Sequence, residues 1–428
     1  MIQTNMQQLH PKMRYIYAGC DSHKNTHTMV FLTCFYEYLG TLVVPNVPSE
    51  FPKFIEQAKQ FLQPHTQLYF GFEDTSSYGR NFVKYLLSEG FGVKHISSNL
   101  VASERNSKNT LDKSDLIDAQ ACARVLINRF DELPDATTDD KRFIFKNLVS
   151  RRSYMVKTIS SLKRQLHTLL SDHYPLYQTF FGEIDCQSAL AFYENFPSPT
   201  ALETTTHKEL TSFFKNQSAM GHTWSKNKAS LILNAVANSG VVAFDYQEQR
   251  DFVITSIISQ IKSHMNEIEL IETHLEMFLN FFDIPLTSIK GVSIPLACSF
   301  INEIGDISRF KNAAALAKYA GIAPVSYASG NSHTDYANRR GNRELSAAFH
   351  KLAIMLATPR GPNKHIINPI MYQYYEKKLR EGKTKKQALK SVKRRLVSII
   401  YGIMKYKHDY INPPCDYLKP PSFFASYE

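Results

Sequence analysis

The chain has 428 residues, 43% of them hydrophobic, which is material for two or three folded domains and excludes a disordered chain. Its 50 Lys and Arg against 39 Asp and Glu leave a net charge of +11 and a pI near 9.1. That balance suits a polyanionic partner such as DNA, RNA or an anionic membrane surface.

No apolar run approaches the roughly 18 residues of a membrane span. The N-terminus has neither the basic nor the apolar region of a signal peptide. A soluble protein without a membrane partner is expected. The six cysteines are widely scattered with no CxxC pair, so free thiols are expected, with neither a disulfide frame nor a zinc site. His23 and His27 are four apart in a polar turn, and that spacing alone gives them no metal role.

In chain order, apolar runs predict strands at 14–20, 28–35 and 39–45, joined by short turns that favour an antiparallel meander. A helix-like stretch from Phe51 to Leu62 follows, then a strand at 67–72, a helix near 78–88 and a strand at 91–96. Three strands followed by alternating helix and strand is the element order of a ribonuclease H-like sheet. Residues 99–113 are rich in Ser, Asn and Lys and read as a loop, and a helix begins near Asp115.

Beyond an exit at Pro134, two long helical stretches at 138–172 and 246–281 suit a coiled coil, within the chain or between chains. Short helices are expected between them. Residues 288–305, around Gly291, resemble a helix-hairpin-helix, with ordinary helix packing as the alternative. The stretch 360–408 is helical and strongly basic, including Lys383, Lys385, Lys386, Arg394 and Arg395, and its one-sided charge favours phosphate contact. The expected fold class is α/β plus mainly α. Its three parts are an N-terminal sheet domain (1–135), a long helical, coiled-coil connector (136–283) and a mainly helical C-terminal domain with a basic tail (284–428).

Four acids carry the chemistry. Asp21 and Glu73 each end an apolar strand, and Asp115 and Asp118 stand three apart at a helix start. Carboxylates at strand ends and on one helix face can meet above a sheet and hold hard divalent cations, and paired metals cut phosphodiesters. Each acid also has a plain structural role open to it: Asp21 in a turn, Glu73 as a helix cap, Asp115 at a helix N-terminus.

These residues carry a family resemblance. Ala18-Gly19-Cys20-Asp21-Ser22-His23-Lys24 resembles the opening motif of DEDD transposases of IS110-type insertion sequences. Glu73-Asp74-Thr75-Ser76-Ser77-Tyr78-Gly79 and Lys113-Ser114-Asp115-Leu116-Ile117-Asp118-Ala119 are similar to their next two motifs. Further on, Gly305-Asp306-Ile307-Ser308-Arg309-Phe310, Leu316 to Pro324, Ser329-Gly330, and Arg339-Arg340-Gly341-Asn342-Arg343-Glu344-Leu345 continue the match in order.

The resemblance implies a ribonuclease H/RuvC-like N-terminal domain with Asp21, Glu73, Asp115 and Asp118 as ligands of two Mg2+ ions, Mn2+ being the alternative. It implies a C-terminal transposase domain in which Ser329 is the nucleophile. Ser329-Gly330 also reads as a simple turn, with Ser326, Ser332 and Ser293 as competitors. Lys24, Arg339, Arg340 and Arg343 would contact nucleic acid, as would the basic tail. The implied partners are double-stranded DNA, a structured guide RNA and further copies in a dimer or tetramer. The implied setting is the cytoplasm of a bacterium or archaeon, at the nucleoid. The alternatives are a Piv-type DNA invertase, a RuvC-like junction nuclease and a non-enzymatic nucleic-acid-binding regulator.

Overall fold

The computed structural model describes residues 10–73, 77–107, 112–137, 139–217, 220–240, 245–329, 332–336, 338, 340–359, 361 and 365–411, with backbone alone at 326–329, 332, 333 and 335. The chain forms two compact units, residues 1–143 and 144–428.

The first unit is built on a mixed five-stranded sheet. Its elements are β1 (Tyr15–Ser22), β2 (Thr26–Leu32), β3 (Tyr38–Pro45), α1 (Phe51–Ala58), β4 (Gln67–Phe72), α2 (Arg80–Ser88), β5 (Gly92–His95), α3 (Ser98–Asn106) and α4 (Asp115–Asn128). The strand order is β3-β2-β1-β4-β5. β1 and β2 pair antiparallel, as do β2 and β3, while β1, β4 and β5 run parallel. The period-2 alternation of β1 feeds two cores. Ile16, Ala18 and Cys20 face a core shared with Phe51, Phe54, Phe82 and Leu86 of α1 and α2. Tyr17 faces a second core with Val101 of α3 and Ala119, Cys122 and Leu126 of α4. The central strand is thus covered on both faces, as parallel pairing requires.

Two glycines set how closely α4 approaches. A Cβ at Gly19 would stand 2.1 Å from the Ala123 amide nitrogen, and one at Gly71 would meet Leu126 of α4 at 3.2 Å as well as Ile96 at 2.7 Å. The helix therefore lies directly on β1. Of residues 99–113, expected as loop, those up to Asn106 are helical in α3, with Val101 as the buried anchor. A single buried position leaves too little periodicity to announce a helix.

The second unit is mainly helical. It takes in most of α5 (Asp140–His173), then α6 (Gln187–Asn195), α7 (His207–Gln217), α8 (His222–Ser239), α9 (Gln247–Phe282), α10 (Ile294–Ile304) and α11 (Ala313–Tyr319). A hairpin of β6 (Val325–Ser329) and β7 (Ser332–Tyr336) precedes α12 (Arg343–Ala357), α13 (Pro369–Arg380) and α14 (Lys385–Tyr406).

α5 and α9 pair antiparallel within the chain. Arg151 meets Glu267 at 3.0 Å and Arg152 meets Glu272 at 2.6 Å, while His173, at the far end of α5, lies 3.9 Å from Asp251. Met155, Ile159, Leu162, Leu166 and Leu170 form the buried stripe of α5. The pair serves two separate cores. One joins Leu166 and Ile258 to an aromatic cluster that includes Phe192 and Phe214; the other joins Met155 and Leu275 to α10, α12 and α14.

Gly291 has φ 103°, and a Cβ there would approach Leu356 to 2.9 Å. Its missing side chain serves packing against α12. Gly321 and Gly341 cross back to back, with a Cβ on Gly341 only 2.3 Å from the Gly321 Cα. Among the described residues no helix is long and apolar enough to cross a membrane. The five cysteines described there are free.

Candidate metal centre and nucleic-acid surfaces

Parallel pairing of β1 with β4 puts Cys20 beside Phe72, so the next residues along, Asp21 and Glu73, lie at the same end of neighbouring strands. Over that end starts α4. Its cap, Ser114, accepts a hydrogen bond from the Ile117 amide at 3.3 Å, which fixes Asp115 and Asp118 in the first turn. Asp118 is buried and Asp115 is exposed. The close seat of α4 on Gly19 carries both acids to the strand ends.

Asp21, His23 and Asp115 offer ligand atoms that all lie within 4.8 Å of one another. The His23 Nε2 is 3.2 Å from Asp21 Oδ2 and 3.2 Å from Asp115 Oδ1. Burial pushes the Asp21 carboxyl above its ordinary value; His23 pulls it down, and the charges of Asp115 and Asp118 raise it further. Burial likewise pushes up the Cys122 thiol, and Glu73 and Asp21 add to that shift, which places both acids near Cys122. The four acids therefore lie toward one end of the sheet, where Asp115 and Asp118 repel the Asp21 carboxylate; of the four, Asp21 and Asp115 come within ligand reach of one another, with His23. Two carboxylates and an imidazole whose ligand atoms converge are donor chemistry that a divalent cation satisfies, so the gathered residues fit such an ion.

Two neighbours were not expected at the site. His23, given no metal role on its spacing to His27, sits just past the end of β1 beside Asp21, and its place in the run Asp21-Ser22-His23-Lys24 was the available signal. Arg105 on α3 donates its Nη1 to Asp118 Oδ1, with the two side chains 22% and 11% exposed. No local pattern announced it, because it sits in the stretch that reads as loop. His27 is buried in β2 and stacks on Phe82, apart from His23.

The remaining expected residues fall elsewhere. Lys24 is exposed in the turn after β1, where its carbonyl accepts from Asn46 at 3.2 Å. Ser329 ends β6, in register with Ser332, and only its backbone is described. Arg339 lies outside the described residues. Arg340 and Arg343 are exposed on either side of Asn342, which caps α12. Lys385, Lys386 and Arg394 are exposed on α14, while Lys383 pairs with Glu381 at 3.5 Å and Arg395 lies 4.9 Å from the ring centre of Tyr374.

A family model described as transposase, of the DEDD IS110 type, matches residues 18–175, and one described as the transposase IS116/IS110/IS902 family matches residues 285–375. The chain is 26% identical over 245 residues to an uncharacterized 43.6 kDa protein of insertion element IS110 from Streptomyces coelicolor, covering 56% of this chain and 58% of that one. It is 23% identical over 407 residues to the uncharacterized 44.8 kDa protein of element IS116 from Streptomyces clavuligerus, covering 93% and 97%. A pilin gene-inverting protein of Moraxella lacunata is 31% identical over 130 residues, 30% of this chain and 38% of that protein.

The mixed sheet, the acidic motifs and both family matches define a DNA transposase of the DEDD class. Within that class, the chain belongs to the IS110-type family of insertion-sequence transposases.

Proposed function

We propose that this protein cuts and rejoins DNA with a divalent-metal centre on Asp21, Glu73, Asp115 and Asp118 and with Ser329 as nucleophile. The convergence of the four acids at one end of a five-stranded sheet carries this reading. The strand order and the helices on both faces favour a RuvC-like domain, and the carboxylates suit Mg2+, with Mn2+ as the alternative.

When bound, the metal would supply charge neutralisation at a phosphodiester and a lowered pKa for an attacking hydroxyl. The chain's own residues do the rest. Asp21, His23 and Asp115 are already gathered, so little rearrangement is needed to present oxygen ligands. The Ser329 hydroxyl attacks phosphorus, a sugar oxygen departs with the proton, and a phosphoserine holds the strand until a DNA hydroxyl displaces the serine. Arg340 and Arg343 at the head of α12 neutralise the phosphate backbone, as does α14.

The basic α14 also suits a structured guide RNA, and further copies of the chain would assemble with it on DNA as a dimer or tetramer. The connector (136–283) and the basic C-terminal part (284–428) would then serve the catalytic part (1–135) in the bacterial or archaeal cytoplasm.

The test is to incubate wild type and Ser329→Ala with element DNA, element RNA and Mg2+, and to map adducts by peptide mass spectrometry. DNA on Ser329, absent from the variant, is the expected result. Cleavage without any adduct would replace this reading with hydrolysis by a RuvC-like nuclease. The match to the pilin gene-inverting protein favours inversion as a second reading. A plasmid carrying paired inverted sites separates it from transposition by the product formed.

A further inference from the structure

We propose that Arg105 is a counter-cation built into the carboxylate cluster, holding Asp118 until a divalent ion and a DNA phosphate arrive together. This inference rests on the metal-centre reading above. Three acids of the cluster already have partners from the chain itself. His23 bridges Asp21 and Asp115, and Arg105 engages one oxygen of Asp118. The Asp118 contact is the more enclosed of the two partnerships, since both of its side chains are largely shielded while His23 and Asp115 are open to solvent.

A guanidinium is charged at every accessible pH, so it cannot leave the cluster by losing a proton. A divalent ion on the Asp118 carboxylate would sit beside it, and like charges in a shielded site repel strongly. Metal alone must therefore bind against Arg105. A phosphodiester changes the balance, because its oxygens match the planar fork of a guanidinium as well as a carboxylate does. Arg105 can then pass from Asp118 to the phosphate and leave the carboxylate to the metal. In this scheme Arg105 is a positioning residue that ties metal loading to the arrival of DNA, which guards against metal-driven nicking by the idle enzyme.

The opposite role is also chemically coherent. If Arg105 merely orients Asp118 for the metal, its removal weakens metal binding. The sign of one measurement separates the two.

The full-length chain, free of DNA, is titrated with Mn2+ and free ion is read by electron paramagnetic resonance. Wild type is compared with Arg105→Gln, with Arg105→Met, which keeps the aliphatic stem, and with Arg129→Gln, which removes a cation at the other end of α4. Both Arg105 variants should bind Mn2+ roughly three- to tenfold more tightly than wild type, and Arg129→Gln should match wild type. A short duplex should tighten Mn2+ binding to wild type more than to either Arg105 variant. Equal or weaker Mn2+ binding by both variants overturns the proposal, as does a collapse of the melting temperature in both. Wild type that binds no Mn2+ with or without DNA overturns the metal-centre reading itself.

Discussion

Gly19 of β1 lies directly beneath the backbone of Ala123 on α4, so close that a Cβ at position 19 would fall 2.1 Å from the Ala123 nitrogen and 2.3 Å from the Ala119 carbonyl oxygen. Neither is the yielding tip of a side chain. Gly19→Ala must lift α4, and with it Asp115 and Asp118. The expected cost is roughly 3 kcal/mol of stability, together with loss of Mn2+ binding. Gly182→Ala, which meets nothing within 4 Å, is the matched control and should stay close to wild type. Urea denaturation of both variants checks the difference.

Asp21 is held at a site that resists its charge, so function and stability pull against each other there. Asp21→Asn should abolish recombination while leaving the metal-free melting temperature unchanged or raised. A steep fall in melting temperature would mean that Asp21 is a structural residue.

Asn342 is a node. Its Oδ1 accepts from the Leu345 amide at 2.9 Å, its Nδ2 donates to Glu303 at 2.8 Å, and its own amide donates to the Tyr319 carbonyl at 2.7 Å. Asn342→Ala keeps the last bond and loses the other two together with the 3.3 Å bond from Nδ2 to the Tyr319 hydroxyl, so roughly 2 kcal/mol of stability should go. Asn342→Asp keeps the cap but sets a carboxylate against Glu303, and thermal melting should find it no better than Ala.

Alkali offers a separate check on the first unit. Burial, reinforced by Asp135, pushes the Tyr69 hydroxyl up to about 12. In the unfolded chain it ionises near pH 10. Its folded value is the higher one, so its contribution is intact below about pH 10 and is lost as pH rises toward 12. Tyr69→Phe should flatten the fall in stability across that window, measured by denaturant titration at several pH values.

The α14 surface can be read through salt. Lys386 and Arg394 are exposed on that helix. If each meets a phosphate, Lys386→Ala and Arg394→Ala should each lower the slope of log affinity against log salt by about 1, with little change in which sequence is bound. Arg395→Ala should instead disturb packing on Tyr374.

The strands and α4 were legible because their apolar residues recur with a clean period, and Asp21, Glu73, Asp115 and Asp118 because each sits where such a run ends or begins. What sequence could not supply were the partners brought in from other elements. α3 buries one side chain, so neither the helix nor the reach of Arg105 to Asp118 has a local signature. A glycine inside a strand ordinarily weakens it, yet Gly19 and Gly71 are places where a neighbour packs onto the strand more tightly than a side chain would allow. The β6–β7 hairpin was foreshadowed only by the turn at Ser329-Gly330.

The shared stem of α5 and α9 also limits how this second unit can vary. Each residue added to an α-helix turns everything beyond it by about 100° and advances it by about 1.5 Å. Because the two helices carry one core near Leu166 and Ile258 and another near Met155 and Leu275, a one-residue insertion between those pairs would rotate one cluster out of phase with the other. Length variation in this stem should therefore come as matched insertions in both helices, in steps of about seven residues that restore the phase, while the loops around residues 182 and 221 remain free to change length one residue at a time.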